Sequence, residues 1–248
     1  MNYNIQTLSA LNHEDINAIC DLLKTAYQPA ISSYLLYNDK SYINYLKSAI
    51  SNHIEIIYTA RKPDSNALMG FAQIRYIGEN IHLNNIIIKE EFRGKGLAQL
   101  FLRHIWQTEN NKAVAKQLFT LDVFENNHQA VNWYKRIGME KTSESYWYNL
   151  IRDFKTTGDK VTEQTITLSA DHFGFTQVLY NEAKIATLIN NQTLLFRSGP
   201  TASVLVQLNR FFGDDTKHAM LITGVECNYP LIDKSFRMEM PFKKLNRI

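Results

Sequence analysis

Apolar positions in the first half of the chain switch repeatedly between a helical and an alternating rhythm. Ile16, Ile19, Cys20, Leu23 and Tyr27 form one stripe at helical spacing, with Asn12 or His13 as a cap and Pro29 as a stop. A tyrosine-rich stretch, Ser33 to Tyr37, leads to a second helical stripe of Tyr42, Tyr45, Leu46 and Ile50. Residues 4–9, 54–61 and 67–77 alternate as strands, the last two joined by a turn over 62–66. Residues 78–80 turn into another strand that ends in Ile86, Ile87 and Ile88. Leu97, Phe101 and Ile105 then mark a helix, residues 118–124 a strand, and residues 127–139 a further turn and helix. The order β-α-α-β-β-β-α-β-α-β predicts an α/β fold, a mixed sheet flanked by helices, with a ligand site where a strand switches into a helix.

The second half reads differently. A polar, glycine-containing stretch at 153–160 suggests a linker, which divides the chain into a domain at 1–152 and a second, smaller α/β domain at 162–248. Strand patterns at 165–168, 173–180, 184–189 and 193–197 precede a helix carrying Val204, Leu205, Leu208, Phe211 and Phe212. Strands at 218–223 and 236–242 follow. This order echoes the later half of the first domain, which points to a degenerate partial repeat of it; an unrelated small α/β domain has the same order.

Composition narrows the classes. The chain has 248 residues, of which 45% are hydrophobic, enough for real cores. A formal charge of +3 without a Lys/Arg-rich run gives no footprint for nucleic acid. No signal-peptide pattern opens the chain and no apolar stretch approaches ~18 residues, so a cytoplasmic protein without a membrane partner is expected. Cys20 and Cys227 stand far apart, and neither a metal site nor a disulfide framework is expected.

The turn between Ile88 and the helix reads Arg93, Gly94, Lys95, Gly96, Leu97, Ala98. A strand that enters a glycine-rich, basic turn and opens a helix brings unpaired N–H groups, a positive helix end and two cationic side chains to one point, which suits a diphosphate. About 30 residues on come Asn127, Ala130, Tyr134, Gly138 and Met139 at regular offsets.

With these two motifs, residues 1–150 resemble the GNAT superfamily of acyl-CoA-dependent N-acetyltransferases. The resemblance implies that Arg93, Gly94, Lys95, Gly96, Leu97 and Ala98 hold the pyrophosphate of acetyl-CoA, the co-substrate, and that Asn127 lies near pantetheine. It also implies that the main chain of Ile86, Ile87 and Ile88 contacts pantetheine and the oxyanion, and that Tyr134 lies near the thioester sulfur. A tyrosine hydroxyl, with a reference pKa of ~10 against ~8.5 for a thiol, stays protonated until charge develops on sulfur, which suits a general acid.

Many relatives place a Glu nine residues before the motif Arg, where this chain has Asn84, followed by Asn85. A water chain held by Asn84 or Asn85, or Glu125, His82 or His128, or an amine of low pKa, each answers the need for a base. Tyr27, Tyr34, Tyr37, Tyr146, Trp147 and Tyr148 fall in the segments that wall the acceptor pocket in relatives, and they suit a cationic amine or an aromatic acceptor. The turn Ser198, Gly199, Pro200, Thr201 is the counterpart in the second domain; it lacks the Arg and the second glycine, and Pro200 has no N–H to offer. The expected activity is acetyl transfer to a primary amine of a small molecule or peptide. The alternative is a CoA-binding or regulatory module without turnover.

Overall fold

The computed structural model describes residues 4–8, 13–112, 117–150, 166–213, 215–216 and 218–248, the side chain of His13 excepted. The expected linker at 153–160 and the cap candidate Asn12 lie outside the described residues. In chain order the elements are β1 (Asn4–Leu8), α1 (His13–Thr25), α2 (Pro29–Ser32), α3 (Tyr42–Ser51), β2 (Glu55–Arg61), β3 (Leu68–Ile77) and β4 (Asn80–Ile88). There follow α4 (Leu97–Asn110), β5 (Leu118–Phe124), α5 (His128–Arg136), β6 (Glu140–Asn149), β7 (Ile166–Ala170), β8 (Thr176–Tyr180) and β9 (Ala183–Ile189). The last are β10 (Thr193–Phe196), α6 (Ala202–Phe212), β11 (His218–Thr223) and β12 (Leu231–Pro241). Pro29 does more than end α1: it is the first residue of α2, where its missing N–H costs nothing and its fixed φ suits the helix.

These elements form two compact units that interleave along the chain. One comprises Met1–Ala26, Leu46–Ser143 and Phe236–Ile248; the other comprises Tyr27–Tyr45 and Glu144–Ser235. The composition-based reading places a single boundary after residue 152, whereas the tyrosine-rich stretch after α1 groups with the second unit and the C-terminal residues with the first.

In the first unit the strands lie in the order β1-β2-β3-β4-β5, with β12 from Phe236 onward beside β5. The ladders from β1 to β4 are antiparallel and β4 pairs with β5 in parallel. Leu97, Phe101, Leu102 and Ile105 form the buried stripe of α4, packed with Tyr58, Ala60, Ala72, Ile74, Ile81, Leu83, Phe119 and Leu121 from one face of the sheet. Each leucine, isoleucine and phenylalanine of this set contributes roughly 1.5–3 kcal/mol relative to exposure, which anchors the start of α4 against the end of β4. Ile16, Ile19, Cys20 and Leu23 of α1 are buried as their spacing requires, and the helix lies against β3. An ion pair between Asp15 and Arg61 ties α1 to β2.

In the second unit the strand order is β6, from Glu144 onward, then β11-β10-β9-β8-β7. Its one parallel pair among the described residues is β10 with β11, joined through α6. Val204, Leu205, Leu208 and Phe212 of α6 are buried with Phe196, Leu221 and Tyr148. The strand expected from residue 173 begins only at Thr176, because Asp171 Oδ1 accepts the N–H groups of Phe173 and Phe175 and holds that segment in a turn.

Candidate functional site

The β4–β5 ladder is short. It pairs Ile81 with Phe119, His82 with Thr120 and Leu83 with Leu121, while β4 runs on to Ile88 and β5 to Phe124. The two strands part at this point. On its other edge β4 stays paired with β3 as far as Ile88, with one irregularity: Gln73 faces Asn85 and Ile74 faces Leu83, which leaves Asn84 as an extra residue in a β-bulge. The N–H of Lys89 bonds back to Met69 O at 2.9 Å. Strand alternation therefore turns the N–H groups of Ile88 and Ile86 away from β3, to the side that β5 has vacated, and that of Ile87 toward β3. Ile86 and Ile88 also pack their side chains on the core beside Leu83 and Ile81. Gly70 makes the close approach of β3 possible, since a Cβ there would lie 2.6 Å from Ile87 O.

The turn that follows is built by glycine. Gly94 has φ +72° and Gly96, the residue that opens α4, has φ +81°, both in the left-handed region that disfavours other residues. Gly96 has no side chain to cap the helix, and the first bond of α4 runs from Leu100 N–H to Gly96 O at 3.1 Å. The N–H groups of Leu97, Ala98 and Gln99 precede that bond and point out of the helix end. Arg93 donates Nε to Ile88 O at 3.0 Å, and Lys95 Nζ donates to Glu91 O at 2.8 Å. Both cations are exposed, and Lys62 and Lys95 flank the Phe92 ring at 5.2 and 5.7 Å. Backbone donors, a helix N-terminus and exposed cations at the end of a parted strand can take an anionic head with an extended polar tail beside it.

Asn127 and Tyr134 lie on α5. Asn127 is the N-cap, its Oδ1 accepting the Ala130 N–H at 3.2 Å, so its side-chain NH₂ is the group left to donate. Tyr134 is 6% exposed and packs against Trp133 at 5.0 Å between ring centroids. Among the described residues its hydroxyl has no hydrogen-bond partner, and burial raises its pKa well above the ordinary tyrosine value. The group stays protonated at neutral pH and can release its proton only to a strong, nearby anion.

The candidates for a base separate clearly. Glu125 and His128 are exposed. His82 is 4% exposed, with Nδ1 at 2.9 Å from Thr120 Oγ1 and Nε2 at 3.8 Å from Asp122 Oδ2. Burial lowers its pKa to about 4; Asp122 opposes that shift, and Arg237 and Arg75 add to it. Arg237 engages both Asp122 oxygens, at 2.5 and 2.9 Å. Sequence reasoning missed Glu55, whose carboxylate accepts from Asn84 Nδ2 at 2.9 Å and from Gln73 Nε2, while Asn85 Nδ2 donates to Gln73 Oε1 at 2.8 Å. Glu55, Gln73 and Asn85 are all buried. Only the register of β2, β3 and β4 brings them together, and no motif announces it.

The remaining candidates belong to the second unit. Tyr27 and Tyr37 lie 5.7 Å apart, Tyr146 and Tyr148 stack at 6.0 Å, and Tyr34 is buried against His218. Burial also raises the Tyr34 pKa. In the turn Ser198, Gly199, Pro200, Thr201 the Thr201 hydroxyl accepts the Val204 N–H at 3.3 Å, which spends on the helix itself a donor that an anion would need. Among the described residues no group of three or more His, Cys, Asp or Glu is arranged to hold a metal, and no helix is long and apolar enough to cross a membrane.

Comparison with known proteins agrees with this geometry. The curated relatives include thialysine N-epsilon-acetyltransferase from Sus scrofa, 26% identical over 103 residues, a match that covers 40% of this chain and 59% of the relative. The Mus musculus enzyme of the same name is 27% identical over 96 residues, covering 37% and 55%. The chain thus spans little more than half the length of the curated relatives it matches. Among solved structures, a tandem GNAT protein from the clavulanic acid biosynthesis pathway, without AcCoA, superposes with a TM-score of 0.67 over 97% of this chain and 99% of its own, at 9% identity. At that identity the likeness is one of fold, and it extends over nearly the whole chain. The model of the acetyltransferase (GNAT) family matches residues 16–139, half of the chain, and takes in the parted strands, the glycine turn and α5; the chain belongs to that family.

Proposed function

We propose that the protein is an acetyl-CoA-dependent N-acetyltransferase that moves an acetyl group to a primary amine of a small molecule or peptide in the cytoplasm. The observation that carries this reading is the gap between β4 and β5 opening beside an uncapped, glycine-built helix start. In this reading Arg93, Gly94, Lys95, Gly96, Leu97 and Ala98 receive the diphosphate of acetyl-CoA. The main chain of Ile86, Ile87 and Ile88 lines the pantetheine arm and the thioester, and the Asn127 NH₂ donates to the arm. The amine nitrogen attacks the thioester carbonyl carbon directly, and outward N–H groups of β4 stabilise the oxyanion. As the C–S bond breaks, its electron pair goes to sulfur, Tyr134 protonates the thiolate, and the proton lost by the amine passes to water. The curated relatives, named for an ε-amine, support a primary amine as the acceptor class.

Release of the CoA thiol from acetyl-CoA, measured against a panel of polyamines, amino acids, aminoglycosides and short peptides, tests the reading. Turnover should be confined to one amine class, and Tyr134→Phe should lower kcat by about 10²-fold with CoA affinity unchanged. Intact CoA binding with no thiol release for any amine would instead identify a CoA-binding module without turnover. Full activity in Tyr134→Phe would remove the acid role.

A further inference from the structure

Where many relatives carry a Glu, this chain has an amide with a buried carboxylate behind it, and the direction of the hydrogen bonds between them has a consequence for catalysis. An amide side chain can present either its oxygen or its NH₂ to a given point, and packing alone rarely decides which. Here the choice is forced. An ionised carboxylate only accepts, so Glu55 obliges both of its amide neighbours to turn their NH₂ groups inward: Asn84 at 2.9 Å and Gln73 on the other oxygen. Gln73 then shows its oxygen to Asn85, which donates at 2.8 Å. With Nδ2 committed to Glu55, Oδ1 of Asn84 is left as an acceptor, and among the described residues nothing donates to it. Asn84 is half-buried, is the extra residue of the bulge, and is the first residue of β4 beyond the last rung shared with β5.

We propose that Asn84 Oδ1, held in this orientation by Glu55, receives an N–H of the acceptor amine as it attacks the thioester, which makes Asn84 a catalytic residue and Glu55 a positioning residue. The inference rests on the acetyltransferase reading above. Asn84 takes no proton. It fixes the amine so that the nitrogen lone pair faces the carbonyl carbon, the C–N bond forms, and the proton released from nitrogen leaves to water. The buried negative charge of Glu55 strengthens the polarisation of the Asn84 amide and so favours acceptors that bring N–H donors, which are amines rather than alcohols or thiols that offer a single proton.

A double-mutant cycle decides it. In Glu55→Gln the new NH₂ group leaves more donors than acceptors in the cluster, so the Asn84 amide loses its enforced direction. Amine kcat/KM should fall about 10-fold, the worth of one oriented hydrogen bond, with CoA affinity unchanged. Asn84→Ala should fall at least as far, and Glu55→Gln added to Asn84→Ala should cost less than about 2-fold more, because the carboxylate would act only through the amide. Losses that multiply, or CoA affinity that falls with them, would show Glu55 to be a structural residue and overturn the inference alone. Absence of turnover in the unsubstituted chain would overturn the acetyltransferase reading and this inference with it. Should Glu55→Gln not fold, side-chain amide NMR of the unsubstituted protein carries the test: Asn84 NH₂ protons that exchange slowly support the inward orientation, and protons exchanging as fast as those of an exposed amide refute it.

Discussion

Among the described residues two parallel crossovers, β4–α4–β5 in the first unit and β10–α6–β11 in the second, solve the same local problem in opposite ways. In the second, the turn is closed by Thr201, whose hydroxyl caps α6, and the ladder pairs every residue of β10, from Thr193 with His218 to Phe196 with Leu221. The Val204 N–H at the helix start and the paired backbone of β10 are used within the protein. In the first, Gly96 leaves α4 uncapped, and the ladder stops at Leu83 with Leu121 while β4 continues. The difference lies in which donors are left for a guest, since both crossovers have the helix, the apolar stripe and the parallel pair. A chain can thus carry the same strand–helix–strand crossover twice and pair the backbone fully in only one of them.

Acidification should split the comparison most widely. Unfolded His82 takes up a proton near pH 6.5, but in the folded first unit burial holds its pKa near 4. Between those values the unfolded chain binds more protons, so stability is complete above about pH 6.5 and falls as pH drops toward 4, by about 3 kcal/mol in all. His172 and His218 of the second unit are exposed. Hydrogen exchange, corrected for intrinsic rates, should show the β4–β5 amides losing protection between pH 7 and 4.5 ahead of those of β10 and β11.

Next in size is the exchange of one cap for the other. Gly96→Thr gives the first turn the chemistry of the second: a hydroxyl to occupy the free N–H groups and a side chain that φ +81° does not accommodate. CoA affinity should fall by about 10²-fold by calorimetry, consistent with the loss of more than one charge-assisted hydrogen bond. The converse change is smaller. Thr201→Ala removes the cap of α6 and should destabilise by about 1 kcal/mol, read as a lower Tm of roughly 2–4 °C, with CoA affinity unmoved.

Much of the first unit is legible in the residues because its signals are local. The stripe Leu97, Phe101, Ile105 and the glycines of the turn announce α4 and the geometry before it, and the structure adds the positive φ values. What escapes is set by contacts far apart in sequence. The grouping of residues 27–45 with the second unit and of 236–248 with the first has no local mark. Neither has Glu55, which reads as one ordinary polar position in a strand until three strands are set in register and a bulge is placed at Asn84. Asn127 shows a third limit: the spacing marks it, but not that its oxygen is spent on the cap of α5.

The bulge at Asn84 also separates length from identity in β4. Leu83 and Asn85, two positions apart, face opposite sides of the sheet, since one is opposite Ile74 and the other opposite Gln73. Without Asn84 the alternation from Leu83 through Asn85 to Ile86 would be that of a regular strand, and the same isoleucines would still meet the core. Burial of the isoleucines does not require this residue; its structural part is the bond that Nδ2 gives to the buried Glu55 carboxylate. An extra residue that burial of the strand does not require, placed where β4 leaves β5, turns one more side chain toward the open edge, so deleting it should leave the isoleucines in the core while removing a polar group from that edge.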